Sequence, residues 1–283
     1  MLFDESREFI FYDGAMGTML QERGLKPGGK PDLMNITDPG AVEEIHRLYV
    51  GAGSDIICTN TFGASAYGLR GTGHSPEEVI SAAVAIARRA AGAAAKVALD
   101  IGPIGELLEP MGELAAGEAA EIFAQQAIAG EKAGADCVAI ETMSDLNEME
   151  AAVRAVAENT SLPILASMTF SEAGYTFTGC TPEKFAELAA ALGASAVGIN
   201  CSLEPARMFA VAGRIAKASS LPMIVKLNAG LPDAITGRYS VGPAEFARQM
   251  LPYADIGARI IGGCCGTSPE YIRELKTVLN SKL

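Results

Sequence analysis

Ala133-Gly134-Ala135-Asp136-Cys137-Val138-Ala139-Ile140-Glu141-Thr142 is the stretch that decides the fold. Its first four residues read as a helix-ending glycine followed by a small, polar step into extended chain. The next four form a short, apolar run that stops on a carboxylate and a hydroxyl. The same glycine-small-polar step stands at Ala52-Gly53-Ser54-Asp55 and at Leu192-Gly193-Ala194-Ser195, each time ahead of another short apolar run. Working outward, strands are expected at 9–12, 55–59, 96–101, 137–141, 164–169, 196–200, 223–227 and 258–261. Helix-sized segments separate them. Their starts are marked by Ser75-Pro76-Glu77-Glu78, which combines an N-cap, a proline at the first helical position and a capping-box glutamate. Asp38-Pro39, Thr181-Pro182-Glu183 and Ser268-Pro269-Glu270 repeat the cap-then-proline device. Eight strands alternating with helices give an α/β chain closed as a parallel (β/α)8 TIM barrel. No linker or composition break interrupts residues 1–283, so a single domain is expected.

Composition agrees and excludes several roles. Hydrophobic residues make up 49% and charged residues 20%, which suits a large core. Tryptophan is absent, and alanine and glycine are abundant, which favours close packing of helices on a sheet. A net charge of −12 argues against phosphate backbones as partners, so nucleic acid is not expected. No apolar run is long enough to span a bilayer, so no membrane association is expected. Residues 1–8 lack the basic-then-apolar order of a signal peptide. The six cysteines follow no secreted framework, and a reducing cytoplasm is the expected compartment.

In a barrel of this kind, active sites gather where the strands end. The expected strands end on Asp13-Gly14, Thr59-Asn60-Thr61, Asp100 with Gly102-Pro103, Glu141-Thr142, Thr169-Phe170, Asn200-Cys201, Asn228-Ala229-Gly230 and Cys264-Cys265. A purely structural barrel has no reason to collect such residues at one rim. Cys264 and Cys265 sit between glycines in Gly262-Gly263-Cys264-Cys265-Gly266-Thr267, and Cys201 ends a strand expected nearby. Neighbours on a strand face opposite ways, so the paired cysteines must lie where the chain turns. Three thiolates on zinc leave one position for chemistry, whereas a structural site needs a fourth protein ligand. His46 falls inside an expected helix and His74 precedes another, so neither fits that place. Cys58 reads as wall, Cys137 as core at the opposite rim, and Cys180 as a loop residue with no assigned role. Three thiolates make zinc a poor hydroxide generator but suit it to hold a substrate thiol as a nucleophile. The expected chemistry is therefore alkylation of a thiol. Lys226 is the one candidate for an aldolase-like Schiff base, a reading that leaves the cysteines unexplained.

These motifs resemble, in order and over almost the whole chain, the homocysteine methyltransferase family. The resemblance rests on Asp13-Gly14-Ala15-Met16-Gly17-Thr18, Thr59-Asn60-Thr61-Phe62-Gly63-Ala64, Ile101-Gly102-Pro103, Glu141-Thr142-Met143, Met168-Thr169-Phe170, Gly198-Ile199-Asn200-Cys201-Ser202, Asn228-Ala229-Gly230-Leu231-Pro232 and the cysteine-pair segment. Within the family it most resembles the homocysteine-binding domain of cobalamin-dependent methionine synthase, through Gly105-Glu106-Leu107-Leu108-Glu109-Pro110-Met111-Gly112. The resemblance implies a zinc-bearing barrel that methylates L-homocysteine to methionine. It implies Cys201, Cys264 and Cys265 as the catalytic metal ligands, and Asp13 and Glu141 as holders of the substrate ammonium. The backbone around Gly14, Ala15 and Met16 would take the substrate carboxylate. Asn60, Asn200 and Asn228 would order the pocket and the surroundings of the zinc. No Asp-x-His-x-x-Gly corrinoid motif is present, so the expected methyl donor is a methylcobalamin-type corrinoid on a separate protein. Direct use of a betaine- or S-methylmethionine-type donor, or a non-catalytic corrinoid-docking or zinc subunit, are the alternatives. Three departures from the family pattern stand out: Leu203-Glu204-Pro205 after the first cysteine motif, Leu227 in place of proline, and Cys180 in place of threonine.

Overall fold

Eight parallel strands circle one axis: β1 (Ile10–Phe11), β2 (Ile56–Cys58), β3 (Lys96–Ile101), β4 (Cys137–Met143), β5 (Ile164–Met168), β6 (Ala196–Cys201), β7 (Met223–Leu227) and β8 (Ala258–Gly263). The computed structural model describes residues 7–26 and 28–281. Of the N-terminal octet read for a targeting signal, residues 1–6 lie outside that range. The hydrogen-bonded order is β1-β8-β7-β6-β5-β4-β3-β2. The ring is completed by a parallel bridge between Tyr12 and Ile56. At this seam the Asp55 amide donates to the Phe11 carbonyl at 2.6 Å, and the Asp55 carboxylate accepts from the Phe11 amide at 2.8 Å. The fold is a (β/α)8 barrel, as the alternation of runs implies.

All eight expected strands are present, β3 and β7 with the expected bounds and the other six with shifted ends. β4, β6 and β8 run on to Met143, Cys201 and Gly263, while β1 and β2 are shorter than expected. The three glycine-small-polar steps build one turn. Gly53, Gly134 and Gly193 take φ of 101°, 94° and 89°. The next amide returns to the carbonyl five residues back in each case: Ser54 to Tyr49, Ala135 to Gly130 and Ala194 to Ala189. Asp38, Ser75 and Thr181 cap their helices through the side chain. Two cap expectations need correction. Ser268 makes no side-chain cap, because the amide it would serve, on Tyr271, already bonds the Ser268 carbonyl at 3.0 Å. The Glu78 carboxylate lies 3.1 Å from His74 Nδ1, so it is drawn to the imidazole instead of closing a box on Ser75.

The core has two parts, set by strand alternation. Ile10, Tyr12, Ile56, Cys58, Ala98, Cys137, Ala139, Leu165, Ala196, Ile224 and Ile260 fill the barrel. The opposite faces, such as Val225 and Leu227 on β7, pack against the helices. Cys137 is therefore core, as expected. No helix among the described residues is long and apolar enough to cross a membrane.

Candidate active site

A cavity of about 390 Å³ opens at the carboxyl ends of the strands. Its wall contains Asp13, Gly14, Ala15, Met16, Asn60, Glu141, Cys201, Cys264 and Cys265, together with Asp100 and Lys226. Asn200 and Asn228 stand behind the wall, where they hold the segments that form it.

The three cysteines come from β6 and from the turn after β8. Cys264 Sγ lies 3.4 Å from Cys201 Sγ, and Cys201 Sγ lies 3.7 Å from Cys265 Sγ. All three sulfurs fall within 4.8 Å of one another. Two local features make this convergence possible. The Cys264 amide remains bound to the Leu227 carbonyl at 2.8 Å, while the Cys265 carbonyl accepts from Ala229 at 3.0 Å, so both cysteines are tied to the segment after β7. On the other side, Cys201 and Ser202 take φ of 56° and 64°, a left-handed turn that side chains occupy only at a cost of about 1–3 kcal/mol. The turn is held by Asn228 Nδ2, which donates to the Ser202 carbonyl at 3.0 Å, and by Ser202 Oγ, which accepts from the Phe170 amide at 3.1 Å. Hydrogen bonds from Cys201 and Cys264 pull the Cys265 thiol below its usual range, while the same contacts push Cys201 up.

Asn200 is fully buried and joins two strands. Its Oδ1 accepts from the Thr142 amide at 2.8 Å and from Ser167 Oγ at 2.9 Å. Its Nδ2 donates to Thr142 Oγ1 at 2.7 Å. Thr142 has φ of 62°, at the irregularity in β4 between Ile140 and Met143. Asn60 Nδ2 donates to the Pro31 carbonyl at 2.7 Å, which fixes the loop above the cavity.

The floor is charged. Asp13 is buried, and its Oδ2 accepts from the Cys58 amide at 2.7 Å. Asp13 Oδ1 and Asp100 Oδ1 are buried without a hydrogen-bond partner. Burial raises Asp13 to about 7, against the pull of Lys226 and the Cys58 amide. Burial, and then the nearby Glu141, push Asp100 well above the carboxylate range. Lys226 projects inward from β7, on the same face as Ile224. Its Nζ donates to Glu141 Oε2 at 2.7 Å and lies 3.6 Å from Cys58 Sγ. Burial works against the Lys226 charge, but Cys58, Glu141, Asp13 and Asp100 outweigh it and hold its pKa well above the usual value. A lysine held so firmly charged is a poor Schiff-base nucleophile. Asp100 and Lys226 were legible as a strand end and an inward position, yet their partnership with Glu141 had no sequence signal. The expected carboxylate cradle at Gly14-Ala15-Met16 does line the cavity, although the Ala15 amide already donates to Thr267 Oγ1 at 3.2 Å.

Residues 10–279 match the family model for homocysteine S-methyltransferases. The chain is 34% identical to methionine synthase of Mycobacterium leprae over 93% of its own length and 24% of that protein's. It is 32% identical to methionine synthase of Mycobacterium tuberculosis over 95% of its length and 24% of that protein's. It thus spans about a quarter of the relatives it matches. Among solved structures, the metallated form of the homocysteine methyltransferase MmuM from Escherichia coli superposes with a TM-score of 0.83 at 24% identity, over 96% of this chain and 97% of that one. That likeness concerns the fold. Length of match and sequence identity together place the chain in the homocysteine S-methyltransferase family.

Proposed function

We propose that this barrel methylates the thiol of homocysteine, with a zinc ion held by Cys201, Cys264 and Cys265. The observation that carries the reading is the meeting of three sulfurs from β6 and β8 at the edge of a cavity floored by Asp13 and Glu141. Tetrahedral zinc with Zn–S bonds of about 2.3 Å needs sulfurs about 3.8 Å apart. Two of the three separations here, 3.4 and 3.7 Å, are close to that spacing, and all three sulfurs lie within 4.8 Å of one another. When bound, zinc supplies a Lewis acid that lowers a thiol's pKa while leaving the sulfur nucleophilic.

The chain's own residues do the rest. Asp13 and Glu141 offer buried carboxylates to the substrate ammonium, which supplies the cation such groups need. Asp13 Oδ1 is buried without a hydrogen bond and has only the Lys226 cation near it, at 3.9 Å. Gly14, Ala15 and Met16 line the same cavity next to Asp13, where first-turn amides of the helix Met16–Glu22 lack intrahelical acceptors and suit a carboxylate. In the transfer, the homocysteine S–H bond gives up its proton and an S–CH3 bond forms. The donor's leaving group keeps the electron pair of the broken bond. We assign the donor role to a methylcorrinoid, on the strength of the likeness to methionine synthases. All six cysteines are free thiols, which suits a reducing cytoplasm. The test offers homocysteine with methylcobalamin, a methylcorrinoid protein, betaine or S-methylmethionine and follows methionine. Turnover with a corrinoid donor supports the full reading. Turnover only with betaine or S-methylmethionine overturns the donor, and none with any donor overturns the activity.

A further inference from the structure

Three buried carboxylates, on Asp13, Asp100 and Glu141, face a single buried cation on Lys226. The cation is not centred among them. It sits 2.7 Å from Glu141 Oε2 and 3.9 Å from Asp13 Oδ1, and 4.2 Å above the Tyr12 ring. Two oxygens, Asp13 Oδ1 and Asp100 Oδ1, remain buried with no hydrogen-bond donor. Buried polar atoms without a partner are costly, so this floor keeps acceptor oxygens for a further cationic donor.

We propose that Lys226 is a positioning residue for substrate selection: it pins Glu141 by one carboxylate oxygen, so that the floor accepts thiols bearing an ammonium group and rejects thiols without one. The inference rests on the homocysteine reading above and deepens it. The pin has a geometric basis. Lys226 enters from β7 at the register position shared with Asn200 and Gly262. Gly262 has no side chain there; a Cβ would lie 2.6 Å from the Asp13 carbonyl and 2.7 Å from Tyr12 Cβ. The missing side chain lets the Tyr12-Asp13 backbone close on β8, which sets the Tyr12 ring 4.2 Å from the Lys226 ammonium. Among the described residues, Lys226 is the only donor that reaches the Glu141 carboxylate, and it uses Oε2. Glu141 also forms part of the cavity wall, so its remaining acceptor capacity faces a ligand. Without the lysine, Glu141 would be free to turn toward solvent or share a proton with Asp100, and its position would no longer report on the substrate's amine.

The experiment compares L-homocysteine with 4-sulfanylbutanoic acid, which has the same chain, thiol and carboxylate but no amine. Binding is measured by calorimetry on the zinc-loaded protein, and kinetics follow methyl transfer to each thiol. Wild type is expected to bind homocysteine about 100-fold more tightly than the amine-free thiol, the scale of a buried charged hydrogen bond. In Lys226→Met the homocysteine KM should rise at least about 10-fold with kcat changed less than about threefold, as for loss of uniform binding. The preference between the two thiols should shrink by a similar factor. Lys226→Arg, which keeps a cation, should retain more of the preference than Lys226→Met. Equal loss for both thiols in Lys226→Met, or an unchanged preference, would overturn the proposal. If Lys226→Met does not fold, Lys226→Gln is measured in the same way and must show the same shrunken preference; equal binding of the two thiols by wild type refutes amine selection outright. Failure of wild type to bind homocysteine at all would instead refute the proposed function.

Discussion

The Asn200 side chain forms two hydrogen bonds to Thr142, one to its amide at 2.8 Å and one to its hydroxyl at 2.7 Å. One asparagine thereby links the residue before Cys201 to the residue after Glu141. The thiol group and the carboxylate floor sit on different strands, and this contact sets their spacing. It also holds Thr142 in a left-handed conformation with φ of 62°. Asn200→Ala should cost about 2–4 kcal/mol, because three buried hydrogen bonds are lost. It should also lower kcat/KM about 10–100-fold, the usual effect of disturbing the support of a metal ligand. Thermal unfolding and methionine formation check the two parts.

Cys265→Ala removes one of three sulfurs and leaves too few ligands to retain zinc. Zinc content after dialysis should fall from about one per chain to near zero, and turnover should vanish with it. Metal analysis and the methionine assay give the readout. Full activity in the zinc-free variant would end the metal mechanism.

Gly198 lies on β6, two residues before Asn200. A Cβ there would collide with the Ile224 carbonyl on β7. The obstructing atoms are the backbone and Cβ of Ile224, which cannot yield without moving β7. Gly198→Ala should therefore destabilise the barrel by about 3 kcal/mol or more and weaken zinc binding, since Cys201 hangs on the same strand. Chemical denaturation with metal analysis tests both effects.

His46 is wholly buried in the helix Pro39–Ala52, with neither ring nitrogen bonded. Burial lowers its pKa from 6.5 to about 4. The unfolded chain takes up this proton below about 6.5, whereas the folded chain resists until about 4. Stability is therefore full above that window and falls as pH drops through it, by about 3 kcal/mol in all. Buried carboxylates such as Asp13 act in the opposite sense, so the comparison of wild type with His46→Leu isolates the imidazole. The variant should lose less stability between pH 6.5 and 4.5 than wild type, measured by urea unfolding at each pH.

Much of this was legible in the residues. The glycine steps at Gly53, Gly134 and Gly193 predict three αβ turns, and the structure forms all three by one hydrogen-bond pattern. The helices Leu146–Asn159 and Pro205–Ala218 instead end on extended Thr160 and Ser219, and their returns pass through Ser161-Leu162-Pro163 and Ser220-Leu221-Pro222. Those returns carry no glycine signal, so the strands after them were read from their apolar runs alone. The cysteine convergence followed from barrel geometry, because strands β6 and β8 flank β7. The role of Lys226 did not follow. Alternation places it inside the barrel, but a 2.7 Å contact across the barrel to β4 depends on side-chain reach. Asn200 and Asn228 were expected in the pocket. They support it from behind, because their amides are consumed by Thr142 and the Ser202 carbonyl.

The most direct test of the account is X-ray absorption at the zinc edge, recorded on the zinc-loaded protein before and after homocysteine is added. The account predicts three sulfur neighbours before addition and four after. Fewer than three sulfurs at the start, or no change on adding the amino acid, would contradict it.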